Sequence, residues 1–126
     1  MEEGSYIKIL VVDDDEQILS YLKKVLQLAS YEVILATNGK QALRLAKEHI
    51  PNLIILDINL PDVRGEEIKR LLSQDNLTSQ IPIIYLTGII SKEEAQVIQR
   101  FTKQALVLAK PVVRSELITA INQLLI

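Results

Sequence analysis

Cysteine is missing from this chain altogether. That absence removes disulfide frameworks, thiolate metal sites and cysteine nucleophiles together, and it leaves a reducing cytosol as the easiest setting. A basic excess is missing too, since 14 Lys and Arg stand against 16 Asp and Glu for a formal net charge of -2. Binding to a phosphate backbone needs surplus cations, so direct contact with nucleic acid is not expected. No apolar run approaches membrane-spanning length, and Met1-Glu2-Glu3-Gly4-Ser5 is acidic and polar where a secretory signal would be basic and then apolar. The expectation is a cytoplasmic protein with no membrane contact. Histidine is represented by His49 alone, beside Ile50-Pro51 at a predicted helix end, where a surface or helix-terminal role is expected rather than chemistry.

What is plentiful is apolar residue, 48% of 126 positions. That suffices for one core and leaves no room for two domains, so a single domain over residues 1–126 is expected, with its core at about 6–125. Short runs rich in Ile, Val and Leu alternate five times with longer segments of helical period. The runs lie at 6–13, 33–37, 53–57, 82–87 and 106–109, and each is short and uniformly apolar, as in a strand buried on both faces. Between and after them, residues 16–28, 40–49, 66–73, 92–103 and 115–125 place apolar side chains at three- and four-residue steps, the pattern of amphipathic helices. Asn38-Gly39, Pro51-Asn52, Gly65 and Pro82 punctuate the boundaries. The class this predicts is α/β: a doubly wound, five-stranded parallel sheet with helices on both faces. In such a sheet, binding sites lie beyond the carboxyl ends of the strands, where the strand order reverses.

Those ends carry Asp13, Asp14 and Asp15 after the first strand, Asp57 closing the third, Thr87 closing the fourth and Lys110 just past the fifth. Parallel strands bring all of them to one rim. Carboxylates gathered there repel, by roughly 4 kcal/mol for two unit charges about 4 Å apart at an effective dielectric near 20. A hard divalent cation held by oxygen ligands answers that repulsion, and with no Cys and no nearby His, magnesium fits better than zinc. Lys110 supplies a second, fixed positive charge. Cation and ammonium together would neutralise a phosphoryl group arriving on a carboxylate, the Thr87 hydroxyl could donate to a phosphoryl oxygen, and Asp57 would be the nucleophile. Each residue alone has an ordinary explanation: an Asp after a strand commonly caps a helix or starts a turn, and a Lys before Pro is often plain surface charge. The conjunction at one rim is what points to chemistry.

With these residues in hand, the chain resembles the receiver domains of response regulators, over nearly its whole length. Ile9-Leu10-Val11-Val12-Asp13-Asp14-Asp15 is similar to the family's first strand with its acidic metal-binding pair, which falls on Asp13 and Asp14 and leaves Asp15 as a flanking acid. Leu53-Ile54-Ile55-Leu56-Asp57-Ile58-Asn59-Leu60-Pro61-Asp62-Val63-Arg64-Gly65 resembles the phosphorylation strand and loop, with Asp57 as acceptor and the Asn59 main-chain carbonyl as a metal ligand. Ile81 to Gly88 looks like the strand ending in the switch hydroxyl, here Thr87, and Lys110-Pro111 looks like the family's Lys-Pro pair with its usual cis peptide bond. The resemblance implies a flavodoxin-like receiver fold and a role in two-component signalling. Asp57 would take a phosphoryl group, with magnesium, from a phosphohistidine on a sensor histidine kinase or histidine phosphotransfer protein. The domain would be regulatory, catalysing only its own phosphorylation and dephosphorylation, and its surface around the fourth helix, fifth strand and fifth helix would then control a downstream protein or a fused output domain.

The same resemblance exposes departures. Val107 stands where the family usually has an aromatic that moves with the switch hydroxyl. Lys103-Gln104 replace a common Gly-Ala pair, and Ala105 and Leu106 stand where acids are frequent, which argues against the family's charge-paired dimer. Gly88 takes the place of a small alanine, and Ile89, apolar, sits where the family tunes hydrolysis, which implies a long-lived phosphoaspartate. The final helix ends with no glycine cap or basic last turn, which suits a longer protein as well as a single-domain regulator. A second reading is a receiver-like interaction module that works without phosphorylation. A flavin module lacks its phosphate loop here, where three acids stand instead, and an aspartyl phosphatase would need a second Asp where Asn59 stands.

Overall fold

The computed structural model describes residues 6–88, 93 and 106–125. Strands apolar along their length apart from a terminal residue offer no face to water, and the chain places three of them at the centre of a sheet: β1 (Lys8–Val12), β3 (Leu53–Asp57) and β4 (Ile83–Thr87). Flanking them are β2 (Glu32–Ala36) and β5 (Leu106–Ala109), in the order β2-β1-β3-β4-β5, with every pairing parallel. The expected doubly wound sheet of five strands is present.

Alternation along the central strands sorts their side chains to the two faces. Leu10, Val12, Ile54, Leu56, Ile83 and Tyr85 join one apolar cluster, which is closed by α2 (Gly39–His49) through Ala42 and Ala46 and by α3 (Gly65–Ser73) through Ile68 and Leu72. Ile9, Val11, Leu53, Ile55, Ile84 and Leu86 join the other, closed by α1 (Glu16–Leu28) and by the C-terminal helix, α4 (Arg114–Leu125), through Leu117, Ala120 and Ile121. Helix α1 shows which force dominates. Its Asp15 cap accepts from the Gln17 N–H at 2.9 Å, worth about 1 kcal/mol, whereas burial of Leu19, Leu22, Val25 and Leu26 contributes about 1.5–3 kcal/mol each. Packing holds the helix and the cap sets where it begins.

Two expectations need correction. The outer strands are not buried on both faces: β2 is largely half-exposed, and β5 alternates half-buried Leu106 and Leu108 with exposed Val107 and Ala109. An edge strand pairs on one side only, and an apolar run does not reveal whether it sits at the centre or the edge. Several boundaries also shift by one or two residues, with β1 shorter at both ends than expected and α2, α3 and α4 each starting one residue earlier. The helix expected at 92–103, apart from Glu93, lies outside the described residues, as do Ile89, Lys103, Gln104 and Ala105. His49 ends α2, exposed beside Glu48 in a basic last turn that suits the negative end of the helix dipole.

Candidate functional site

Register brings the acids together. Val12 pairs with Leu56, so the chains leave β1 and β3 side by side, with Asp13 and Asp57 abreast at the carboxyl rim. Asp57 pairs with Leu86 and Thr87 with Ala109, which sets Thr87 and Lys110 on the next two strand ends. The Lys110 N–H donates to the Thr87 carbonyl at 2.7 Å, and the Lys110-Pro111 peptide bond is cis.

At that rim the Lys110 ammonium lies 2.9 Å from Asp13 Oδ2 and 3.3 Å from Asp57 Oδ2. Asp13 is fully buried and Asp57 is 4% exposed, so two anions withdrawn from water share one cation. Their other oxygens take backbone donors in tight turns: Asp15 N–H to Asp13 Oδ1 at 2.9 Å and Asn59 N–H to Asp57 Oδ1 at 3.0 Å. Burial pushes the Asp57 carboxyl above its ordinary value and Asp13 adds to the push, while the Asn59 N–H and Lys110 oppose it without prevailing. For Lys110, burial works against the charge, but Asp13 and Asp57 outweigh it and hold the ammonium above its ordinary value. Lys110 is therefore a permanent cation.

The site retains a charge imbalance. Asp13, Asp14 and Asp57 each present a carboxylate oxygen within 4.8 Å of the others, three anions against one ammonium among the described residues. Asp13 Oδ2, though paired in charge with Lys110, makes no hydrogen bond of good geometry among the described residues. An all-oxygen cluster with excess negative charge and a buried, under-bonded oxygen fits a hard divalent cation. Thr87, 6% exposed, rests its hydroxyl on the Gly88 carbonyl at 3.4 Å, a long and weak contact that leaves it free to turn. Among the described residues, an added Cβ at Gly88 would meet nothing within 4 Å.

Thus Asp13, Asp14, Asp57 and Lys110 converge, with Thr87 at the neighbouring strand end and Asn59 bonded to Asp57. Asp15 faces away as the α1 cap, the ordinary role of an acid after a strand. Sequence reasoning passed over Asp62, whose carboxylate accepts from the Gly39 and Lys40 N–H groups at 2.8 and 3.0 Å. The one local signal was Asn38-Gly39, which marks a helix start but not the acid that reaches it.

Residues 9–122 match the response regulator receiver domain family. This chain belongs to that family. Among relatives of the receiver domain, the polar-differentiation response regulator DivK of Brucella anthropi is 34% identical over 104 residues, covering 82% of this chain and 84% of that protein. A putative response regulator from Chloroflexus aurantiacus superposes with a TM-score of 0.85 at 32% identity, covering 96% of this chain and 98% of the other. The chemotaxis protein CheY4 of Vibrio cholerae does so with a TM-score of 0.83 at 30% identity, covering 95% and 99%. The receiver domain is thus a regulatory domain of the two-component kind. Among its described residues, no helix is long and apolar enough to cross a membrane.

Proposed function

We propose that Asp57 accepts a phosphoryl group from a phosphohistidine on a sensor histidine kinase or histidine phosphotransfer protein. The observation that carries this reading is a buried carboxylate pair, Asp13 and Asp57, sharing the ammonium of Lys110 at a strand-end rim. An Asp57 carboxylate oxygen forms the new P–O bond as the donor's N–P bond breaks, and the electron pair leaves with the imidazole. The Asn59 N–H holds the carboxylate in one orientation for that attack. The Lys110 ammonium sits where charge accumulates on the phosphoryl oxygens, and the Thr87 hydroxyl exchanges its weak bond to the Gly88 carbonyl for one to a phosphoryl oxygen. Asp13, Asp14, Asp57 and the Asn59 main-chain carbonyl are the residues that would hold magnesium, which when bound neutralises charge on the transferring group.

Movement of Thr87 then biases the surface next to β5 between two states that a downstream protein or fused output domain distinguishes. A second reading, binding without phosphorylation, draws support from Val107, 38% exposed on β5 where an aromatic is usual. The test is incubation with acetyl phosphate, with and without magnesium, read by intact mass. One phosphate per chain, dependent on magnesium, supports the phosphoacceptor. The absence of an adduct under every condition supports the second reading.

A further inference from the structure

The N-terminus of α2 is capped twice, by acceptors from two parts of the chain. Asn38 does the local work, its Oδ1 accepting from the Gln41 N–H at 2.8 Å and its carbonyl from Ala42 at 3.0 Å. That leaves the N–H groups of Gly39 and Lys40, and both donate to one carboxylate, Asp62 Oδ1 at 2.8 Å and Oδ2 at 3.0 Å. Asp62 belongs to the loop between β3 and α3, 23 and 22 positions further along the chain. The contact beneath is close as well. A Cβ at Gly39 would stand 2.6 Å from Val63 Cβ, so the helix start and the loop meet with no space for a side chain.

This same loop carries Asn59, whose N–H orients Asp57. The bond that closes the loop backbone, from the Gly65 N–H to the Ile58 carbonyl, is a long 3.4 Å. The two charge-assisted bonds of Asp62 are shorter and stronger, and they anchor to a helix already packed on the sheet through Ala42 and Ala46. Although burial works to raise the Asp62 carboxyl, the N–H groups of Gly39 and Lys40, joined by those of Asp62 itself and Val63, overcome it and hold the group below its ordinary value, ionised at neutral pH.

We infer that Asp62 is a positioning residue, which ties the loop after the phosphoacceptor to the N-terminus of α2 and thereby fixes Asn59 against Asp57. Its effect on magnesium rests on the function proposed above; its effect on Asn59 does not. Two variants separate positioning from plain helix stability. Asp62→Ala cuts the tie, and Asn38→Ala weakens the same helix terminus while leaving the tie in place.

In magnesium-free protein, amide hydrogen exchange at Asn59 should accelerate about tenfold in Asp62→Ala and stay within about twofold of wild type in Asn38→Ala, although both melt earlier. Magnesium affinity by calorimetry should fall several-fold in the first variant only. Should Asp62→Ala fail to fold, Asp62→Asn, which keeps the shape and loses the charge, should show the same ordering with a smaller change. Unchanged exchange at Asn59 in the Asp62 variants, or equal acceleration in Asn38→Ala, overturns the inference. If the wild type takes no magnesium, the proposed function fails and exchange at Asn59 alone decides this point.

Discussion

Replacing Asp57 by Asn should make the magnesium-free protein more stable. Lys110 Nζ, 3.3 Å from Asp57 Oδ2, attracts the carboxylate by about 5 kcal/mol at an effective dielectric near 20. Asp13, with an oxygen within 4.8 Å of Asp57, repels it by at least about 3.5 kcal/mol on the same basis. The net attraction is then at most about 1.5 kcal/mol, less once Asp14 in the same cluster is counted, and falls short of the several kcal/mol that burying an ion costs. The Asn59 N–H recovers part of the shortfall, leaving about 1 kcal/mol against the charged form. Asn at this position keeps an oxygen for that N–H and removes the charge.

The sign follows from the direction of the shift. Burial, chiefly, raises the folded carboxyl above its ordinary value of 3.8, so the cost is absent below that pH, grows as pH rises, and is complete above the folded value. In EDTA near pH 7.5, Asp57→Asn should melt about 4 °C above wild type by calorimetry, and the gap should close toward pH 4. Magnesium should reverse the order. At a hundredfold excess over its dissociation constant it should stabilise wild type by about 2.7 kcal/mol, and the variant by much less. An Asp57→Asn protein that melts below wild type in EDTA would refute the reasoning, since it would show that the carboxylate stabilises the fold.

Three further outcomes are expected. Lys110→Met strips both buried carboxylates of their cation and should cost about 2–3 kcal/mol in EDTA by urea unfolding, reduced from the fully buried case because Lys110 is 21% exposed; magnesium should restore part of it. Gly39→Ala should destabilise by about 1–2 kcal/mol, because the clash with Val63 exceeds the roughly 0.5–1 kcal/mol that Ala contributes in a helix, and a neutral or stabilising result would place the loop further away than 2.6 Å implies. Asp15→Ala should cost about 1 kcal/mol of stability yet leave the rate of phosphorylation by acetyl phosphate unchanged; a large loss of rate would make Asp15 part of the site.

Much of the architecture was legible because it depends on periodicity. The uniform apolar runs at β1, β3 and β4 required cover on both sides, and the spacing of Leu19, Leu22, Val25 and Leu26 required a helix. The same runs could not separate centre from edge, so the run itself did not show that Val107 on β5 is exposed; only the resemblance put that stretch at a surface. Asp13, Asp57 and Lys110 could be read because parallel strands deliver their ends to one rim regardless of sequence distance. The division of labour within Asp13-Asp14-Asp15 could not be assigned from spacing alone; backbone direction sends Asp13 inward and makes Asp15 a cap. Asp62 was illegible for a different reason: its partners are backbone N–H groups of a helix over twenty positions earlier, and backbone donors leave no mark in a sequence.

The most direct test of the central claim is to phosphorylate the chain, reduce the acyl phosphate with borohydride and locate the resulting homoserine by peptide mass mapping. The account predicts homoserine at position 57 and nowhere else. Homoserine at Asp13 or Asp14 would contradict it, as would a phosphorylated chain that yields no homoserine.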